Sequence, residues 1–485
     1  MGVILKQSIQ NTAITYVGFA IGAVNTLFLY TRILEPQYYG LVTFILATAA
    51  IAMPLMAFGT HNTLIKYFSA QSDKDKNSFL TLMVLSPLLI LLPMASLIYF
   101  LYDTIANFLA KENPIVYNYL WYIFFAGFAM AYFEIFYAWS KAHLKSVFGN
   151  FMKEVFVRLG VLLLLLALYF EIISLDVFFK SLIGLYLART LIMKLYAYTL
   201  RKPKLSFDFP INTKEILSYS LLIILGGSAA LIVLEIDKFM INQFIAIENV
   251  AFYGVAIYIA MVIIVPSRAM HQITYPLTAE LLNKNDMAGL KSLYKKASLT
   301  LYIASGLLFL LIVSNLNDLF ILLPKEYRGG FYIVFLIGLA KVCESLLGIN
   351  NSILYNSKYY KMVLLFGVCL AIGTILLNLW LIPKYGIEGA AWASFIAIIS
   401  FNILKVVYVK LKFDMLPFSK GSLKVTILLI LVGVVFLYVD FPFHAIVNIL
   451  LKSILMVLFY TSILYRFNIS EDVTSLISNI LKRKS

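Results

Sequence analysis

The chain of 485 residues is 62% hydrophobic and only 13% charged, and its mean hydropathy is +0.91. A soluble chain of this length would carry about 25% charged residues and divide into about three domains, so the composition excludes that class. The net charge of +15 resides mainly in short segments between apolar runs, which excludes nucleic acid as the expected partner and fits the positive-inside rule.

Apolar runs of about 20 to 25 residues recur along the chain, the length that an α-helix needs to cross a hydrocarbon core of about 30 Å. Because no water reaches backbone groups in that core, continuous runs of this length indicate helices. The sequence therefore predicts an all-α integral membrane protein with about fourteen transmembrane helices. Their predicted ranges are 11–33, 41–65, 79–102, 117–140, 155–172, 177–199, 216–239, 250–273, 297–317, 330–355, 361–382, 387–409, 423–440 and 443–466.

The distribution of basic residues predicts the orientation. With the amino terminus inside, 29 of the 39 Lys and Arg residues fall on the cytoplasmic side and 7 on the outer side. An even number of spans then places both termini in the cytoplasm. No small-residue cleavage site follows the first span, so we expect a retained helix and not a removed signal peptide.

The first span carries a stripe of small or polar residues at alternating steps of four and three. Its members are Asn11, Thr15, Gly18, Gly22, Asn25, Leu29 and Arg32. Such a stripe either lines a wet space or lets membrane helices pack closely. Arg32 favours the wet space, because a charge near the membrane needs water, a partner or a function.

The second span repeats this pattern and ends it on a histidine. The stripe consists of Thr43, Ala47, Ala50, Pro54, Ala57 and His61. Pro54 frees a backbone carbonyl and permits a bend, which suits a helix that moves. We expect four residues to act in gating. They are Gly22 and Pro54 in these two spans, and Gly40 and Gly254 in the repeat described next.

A short repeat divides the chain into related halves. The segment Glu35-Pro-Gln-Tyr-Tyr-Gly40 matches Asn249-Val-Ala-Phe-Tyr-Gly254, 214 residues later, with Tyr-Gly in an equivalent turn between two spans. The predicted organisation is a six-helix lobe (1–200), a cytoplasmic linker (201–214), a pseudo-symmetric six-helix lobe (215–412), and a helix pair with a cytoplasmic tail (413–485). Paired lobes of this kind are typical of transporters, with the substrate path between them.

Polar residues within the spans are the candidate functional residues. Basic and amide side chains would suit an anionic headgroup such as a phosphate, and the candidates are Asn25, Arg32, His61, Lys238, Arg268, His271 and Lys341. Carboxylates could carry protons or ions in a coupled cycle, and the candidates are Glu134, Glu235, Asp237 and Glu344. For the pairs Glu235–Lys238 and Lys341–Glu344, three residues apart, mutual neutralisation remains the alternative.

No catalytic motif is present, and the histidines are too scattered to predict a metal site. Cys343 and Cys369 lie in apolar runs and predict neither a disulfide framework nor a metal site. The predicted outer loops are also short, which disfavours a membrane polymerase or ligase. We therefore expect a protein that is not an enzyme and has no cofactor, with coupling to a proton or sodium gradient left open.

Four stretches resemble the polysaccharide transporter family, the O-antigen and capsule flippases of the multidrug/oligosaccharidyl-lipid/polysaccharide flippase superfamily. They are Arg32-Ile-Leu-Glu-Pro-x-x-Tyr-Gly40 with Phe58-Gly-Thr, Phe207-Asp through Lys214-Glu-Ile-Leu-Ser-Tyr-Ser-Leu221, Asp237-Lys-Phe-Met-Ile with Tyr253-Gly254, and Tyr385-Gly-Ile-x-Gly389-Ala-Ala-Trp-Ala393. The resemblance covers the first twelve spans. Leu222 departs from it, since members often carry a proline there, which puts the bend of the seventh span in doubt.

The resemblance implies a flippase that moves an undecaprenyl-diphosphate-linked oligosaccharide from the cytoplasmic to the outer leaflet of the bacterial inner membrane by alternating access. It implies membrane lipids and polysaccharide polymerase or assembly proteins as partners, in lipopolysaccharide, capsule or exopolysaccharide biosynthesis. Arg32, Lys238, Arg268 and Lys341 would then contact diphosphate or sugar. The alternatives are a lipid II flippase, whose added helices the last pair resembles, a cation-coupled multidrug exporter, and a membrane polysaccharide polymerase or ligase.

Overall fold

The computed structural model describes residues 2–202, 204–227 and 229–482, so the end of the predicted tail, residues 483–485, lies outside the described residues. Helices make up most of this described part, which contains no strand. The predicted all-α fold is therefore confirmed. Among the described residues, nine helices are long and apolar enough to cross a membrane, judged by length and composition alone. The count of fourteen stays a prediction.

The chain divides into two compact units, residues 1–254 with 378–386, and residues 255–377 with 387–485. The helices that begin in the first unit are α1 Gly2–Ala23, α2 Tyr30–Ile33, α3 Pro36–Met56, α4 Thr60–Tyr67, α5 Asp75–Leu85, α6 Leu88–Phe100, α7 Tyr102–Leu109, α8 Leu120–Ala142, α9 Val147–Phe151, α10 Val157–Tyr169, α11 Leu175–Leu200, α12 Thr213–Gly227, α13 Ala229–Phe244 and α14 Glu248–Met261.

The remaining helices are α15 Val265–Asn283, α16 Met287–Ser314, α17 Leu316–Ile321, α18 Phe331–Leu346, α19 Asn350–Tyr355, α20 Tyr360–Phe413, α21 Lys420–Leu437, α22 Ala445–Arg466 and α23 Glu471–Lys482.

Two π-helical segments, Val24–Leu29 and Met152–Phe156, interrupt the first unit. α20 has one break, at Gly386, where φ is +57° and ψ is −136°. That backbone conformation is almost restricted to glycine. It lies between the predicted spans 361–382 and 387–409.

The first unit is built around α8, which packs against both α3 and α11. Ala126, Ala129 and Ala131 on α8 are almost fully buried, and small side chains let helices approach closely. The hydroxyl of Thr190 on α11 donates a 2.7 Å hydrogen bond to the carbonyl of Ala129. This buried hydroxyl is thus hydrogen-bonded without water, and the bond joins α11 to α8.

The seventh predicted span belongs to the first unit. Asn113 Nδ2 donates to the carbonyl of Asn242 at 2.8 Å, and Asn242 Nδ2 donates to the carbonyl of Leu109 at 2.9 Å. The hydroxyls of Thr63 and Ser220 lie 2.8 Å apart. The compact units therefore differ from the predicted lobes 1–200 and 215–412, which stay a prediction about the internal repeat.

In the second unit, α16 packs against α15, α18 and α21. An apolar cluster joins α16 to the last helix pair through buried Tyr302, Val432, Met456 and Tyr460. At the same pair, Lys452 Nζ donates to Asp440 Oδ1 at 2.8 Å and to the carbonyl of Ser314 at 3.2 Å. The last pair is therefore an integral part of this unit.

Candidate functional site

A cavity of about 150 Å³ lies within the second unit. Seven of its lining residues carry polar side chains, namely Ser267, Arg268, His271, Glu344, Asn350, Asn351 and Lys405. The described residues that line it come from the 3-10 helical segment Val262–Ile264, α15, α18, α19, α20 and the turn between α18 and α19. Charged and amide groups thus converge on one space in a protein whose composition is otherwise strongly apolar.

Local backbone geometry brings these side chains together. Arg268 and His271 are three residues apart on α15, so they share one helix face. After α18 the chain turns at Gly348, which has a φ of +56° and whose position would place a Cβ 2.8 Å from the backbone nitrogen of Ser298. Only glycine fits such a turn without strain. The turn directs α19, with Asn350 and Asn351, to the cavity.

The charges of the cavity do not cancel. Lys341 Nζ bonds Glu344 Oε2 at 2.9 Å, so the carboxylate already has a cation. Lys405, only 3% exposed, donates to Asn351 Oδ1 at 3.2 Å and lies 4.4 Å from the ring centroid of Phe401. Arg268 adds a further cation to the lining. Lys405 is buried and Arg268 is exposed; a buried cation is costly without an anion, so the cavity favours an anionic occupant.

Neutral polar groups complete the cavity. The hydroxyl of Ser345 lies 3.1 Å from that of Ser267 and accepts a hydrogen bond of 2.8 Å from Ser305. Asn350 is 1% exposed and donates through Nδ2 to the Tyr294 hydroxyl, whereas its Oδ1 has no hydrogen-bond partner among the described residues. A buried acceptor of this kind suits a hydroxyl donor. The cavity can hold an anionic oxygen beside a hydroxyl.

A second charged cluster lies in the first unit. Lys153 Nζ bonds Glu134 Oε1 at 2.6 Å, which joins the π-helical segment Met152–Phe156 to α8. Lys141 Nζ lies 3.7 Å from the ring centroid of Tyr137. His61 on α4 interacts electrostatically with Glu134, Lys141 and Lys153, and its Nδ1 is buried without a hydrogen-bond partner among the described residues.

Two predicted residues of the first span lie in different surroundings. Asn25 is buried in the π-helical segment Val24–Leu29, and its Nδ2 donates to the carbonyl of Arg158 at 2.8 Å. Arg158 in turn pairs with Glu154 at 2.8 Å. Arg32 is exposed and lies 5.9 Å from the ring centroid of Phe28. The stripe of the first span therefore includes a packing contact at Asn25 and an accessible cation at Arg32.

The carboxylates of the seventh span have separate partners. Lys238 Nζ bonds Glu235 Oε2 at 2.6 Å, so these two residues neutralise each other. Asp237 is 4% exposed and accepts hydrogen bonds from the Tyr253 hydroxyl at 2.5 Å and from Asn378 Nδ2 at 2.7 Å. The Oδ1 of Asn378 has no hydrogen-bond partner among the described residues.

The predicted gating residues occupy unequal positions. Gly40 and Gly254 lie within α3 and α14, so the expectation that the Tyr-Gly pairs sit in turns is wrong: the helices begin before the glycines, at Pro36 and Glu248. Gly22 is buried near the end of α1. Pro54 lies inside α3, two residues before that helix ends at Met56. Phe58 and Gly59, which follow the helix, both have positive φ.

Sequence reasoning missed Lys405, Asn350, Asn351 and Lys153. In the sequence, Lys405 is one of the basic residues that predict the orientation of the chain, yet the structure buries it. The signal that could have revealed the asparagines is their adjacency in a span that already holds Lys341 and Glu344. Among the described residues, no three His, Cys, Asp or Glu side chains converge as a metal ion would require.

Residues 4–282 match the family described as polysaccharide biosynthesis protein, which is more than half of the chain. The chain belongs to this family. It is a multi-pass membrane protein, as its many long apolar helices indicate. A comparison with curated proteins finds no match.

Solved structures of the MOP superfamily share the fold of this family member. A structure described as lipid II flippase MurJ in an inward closed conformation has a TM-score of 0.73 and 14% identity, with 95% of this chain and 100% of that chain covered. An inward-facing multidrug resistance MATE family transporter has a TM-score of 0.63 and 13% identity, covering 84% and 98%. A MOP superfamily transporter from Pyrococcus furiosus has a TM-score of 0.59 and 12% identity, covering 85% and 95%. At these identities the likeness concerns the fold alone.

Proposed function

We propose that this protein is a flippase that moves an undecaprenyl-diphosphate-linked oligosaccharide from the cytoplasmic to the outer leaflet of a bacterial inner membrane, with both termini in the cytoplasm. It would work by alternating access in surface polysaccharide biosynthesis (O-antigen, capsule or exopolysaccharide). The family and the fold support a lipid-linked substrate. The observation that carries the proposal is the cationic cavity of the second unit. Its carboxylate, Glu344, is already paired with Lys341, so the positive charges of Arg268 and Lys405 are in excess.

The chemistry of the cavity fits the head of such a substrate. Arginine and lysine bind phosphate oxygens through charge-assisted hydrogen bonds. The unpartnered Oδ1 of Asn350 could accept a bond from a sugar hydroxyl. A volume of about 150 Å³ holds a group the size of benzene. The cavity would therefore hold one phosphate or one sugar, with the rest of the substrate outside it.

Deletion of the gene should trap the lipid-linked oligosaccharide on the cytoplasmic leaflet and remove surface glycan. Sealed inside-out and right-side-out vesicles, treated with a membrane-impermeant oxidant of sugar diols, report which leaflet holds the glycan. In deletion cells the label should appear from the cytoplasmic side only, and a plasmid copy should restore both sides. Single glycan units on the outer leaflet would contradict a flippase and favour a polymerase.

The same vesicles distinguish the proposed function from a lipid II flippase and from a multidrug exporter. Arrest of peptidoglycan synthesis, with lipid II retained on the cytoplasmic leaflet, would identify a lipid II flippase. Normal leaflet distribution of both lipids, with increased sensitivity to cationic drugs, would identify a multidrug exporter.

Coupling to a proton or sodium gradient is the second part of the proposal, and Asp237 is the carboxylate best placed for it. It is buried and accepts hydrogen bonds from Tyr253 and Asn378, and the Oδ1 of Asn378 has no hydrogen-bond partner among the described residues. A buried carboxylate with such oxygen neighbours can hold a proton or a small hard cation.

Asp237→Asn keeps the shape of this side chain and one of its two acceptor oxygens but removes its charge. We expect transport by the variant in proteoliposomes to lose its response to an imposed ion gradient, while substrate binding without a gradient persists. Glu280→Gln, at an exposed ion pair with Lys284, is the matched control. An Asp237→Asn variant that still responds to proton and sodium gradients as the wild type does would rule Asp237 out.

A further inference from the structure

The His61–Glu134 cluster of the first unit and the His271–Glu344 cluster of the second unit are related by sequence position. His61 and His271 are separated by 210 residues, as are Glu134 and Glu344. The segment Tyr122-Ile-Phe-Phe before Glu134 also matches Tyr332-Ile-Val-Phe before Glu344 at the same separation. The Tyr-Gly pairs are separated by four residues more, which is about one helical turn.

The two clusters share their chemistry. In each, a partly buried glutamate bonds one lysine directly, Glu134 to Lys153 at 2.6 Å and Glu344 to Lys341 at 2.9 Å. In each, the glutamate also interacts electrostatically with a histidine and with a further lysine, which is Lys141 in the first unit and Lys405 in the second.

The lysines do not obey the separation of 210 residues. Lys153 comes from a π-helical segment after α8, whereas Lys341 lies on the same helix as Glu344. Duplication alone would have kept equivalent positions. The lysines come from non-equivalent positions, yet each pairs with the equivalent glutamate. This indicates that the arrangement of charges is itself functional.

Counting only the glutamate and its two lysines, each cluster carries an excess of one cation when its histidine is neutral. Lys405 is 3% exposed and the side chain of Lys153 is 44% exposed, so an unpaired cation is most unfavourable in the second unit, and the nearby carboxylate relieves part of that cost in each cluster. An anion that enters the cluster can take over the lysine that the glutamate holds, because phosphate oxygens accept the same charge-assisted hydrogen bonds as a carboxylate.

We propose that the first unit carries a second anion-binding site, built from His61, Glu134, Lys141 and Lys153 on the plan of the cavity in the second unit. In each site the glutamate carboxylate neutralises a lysine while no anion is bound. The ligand of the second site is a phosphate-type anion. The inference deepens the proposed function and rests on it in assigning that anion to the head of a lipid-linked sugar.

Binding of inorganic pyrophosphate to the purified full-length protein tests the second site. Isothermal titration calorimetry of the wild type should give two pyrophosphate ions per chain. Lys153→Gln should remove one of them and Lys405→Gln the other, because each change removes a charge-assisted hydrogen bond, which costs on the order of tenfold in affinity or more. Lys180→Gln and Lys284→Gln, both at exposed ion pairs, are matched controls expected to bind as the wild type does.

The glutamate variants keep the test decisive if a lysine variant unfolds. Glu134→Gln frees Lys153 from its carboxylate partner and should increase pyrophosphate affinity several-fold at the proposed site of the first unit, and Glu344→Gln should do the same at the cavity of the second unit. If Glu134 and Lys153 form only a structural pair, Glu134→Gln will lower the unfolding temperature and leave pyrophosphate binding unchanged, which overturns the proposal.

The number of pyrophosphate ions bound per chain distinguishes a failure of the second site from a failure of the proposed function. One ion per chain, lost in Lys405→Gln and kept in Lys153→Gln, would overturn the second site and leave the proposed function standing. No binding at all would count against both the second site and the anion-binding cavity on which the proposed function relies.

Discussion

Replacing Arg268 or Lys405 by alanine is expected to abolish export of the surface glycan while the protein remains in the membrane at normal abundance. Both side chains line the cavity of the second unit, and the carboxylate there is already paired with Lys341. Each variant removes charge-assisted hydrogen bonds to an anionic head, worth about 1.5–3 kcal/mol each. That loss corresponds to roughly a 10- to 100-fold weaker hold on the substrate.

Surface glycan measured by gel profile and protein abundance measured by immunoblot check this expectation. Lys410→Ala, on the same helix as Lys405 but at an exposed ion pair with Asp414, is the matched control and should export normally. Arg268→Lys keeps the charge and should retain part of the export. Normal export from both alanine variants would mean that the cavity does not bind the exported molecule.

Gly40→Ala is expected to destabilise the protein severely, whereas Gly254→Ala, at the repeat-related position, is expected to be tolerated. A Cβ at position 40 would lie 2.1 Å from the carbonyl oxygen of Ile247, a backbone atom that cannot rotate away. A Cβ at position 254 would lie 3.4 Å from Thr43 Cγ2, an ordinary van der Waals contact. Overpacking costs about 1–3 kcal/mol, and more where backbone must move.

The two glycine variants can be compared by thermal unfolding of the purified proteins in detergent. Gly40→Ala should lower the midpoint markedly or prevent purification. Gly254→Ala should leave it unchanged or raise it slightly, since alanine is favoured over glycine inside a helix by about 1 kcal/mol. Equal behaviour of the two variants would show that the approach of Ile247 to Gly40 does not constrain the fold.

The internal repeat predicts related halves but not the local structure around its glycines. The matching Tyr-Gly pairs predicted related halves, and the 210-residue separation of the glutamates agrees with an internal repeat. The same match predicted equivalent turns, yet both glycines lie in helices with different neighbours. Sequence similarity preserved the local helix, while the neighbour that touches each glycine depends on distant residues.

The candidate site was only partly accessible to sequence reasoning. Arg268, His271, Lys341 and Glu344 could be named, because charged residues in apolar spans are rare and helical spacing places three-apart residues on one face. Lys405 could not, because a lysine near the end of a span has the same local signature whether it orients the chain or is buried. Its burial depends on α18 and α19, which precede it by 50 residues or more.

The sequence alone determined the all-α class, because helices are the only way for long apolar runs to satisfy their backbone groups in a hydrocarbon core. It also determined the family, through short motifs whose residues are contiguous. Only the tertiary structure decided which polar residues meet, since Glu134 and Lys153, or Lys405 and Asn351, come from different helices. Pairing across helices is set by packing over long sequence separations, and no local pattern records it.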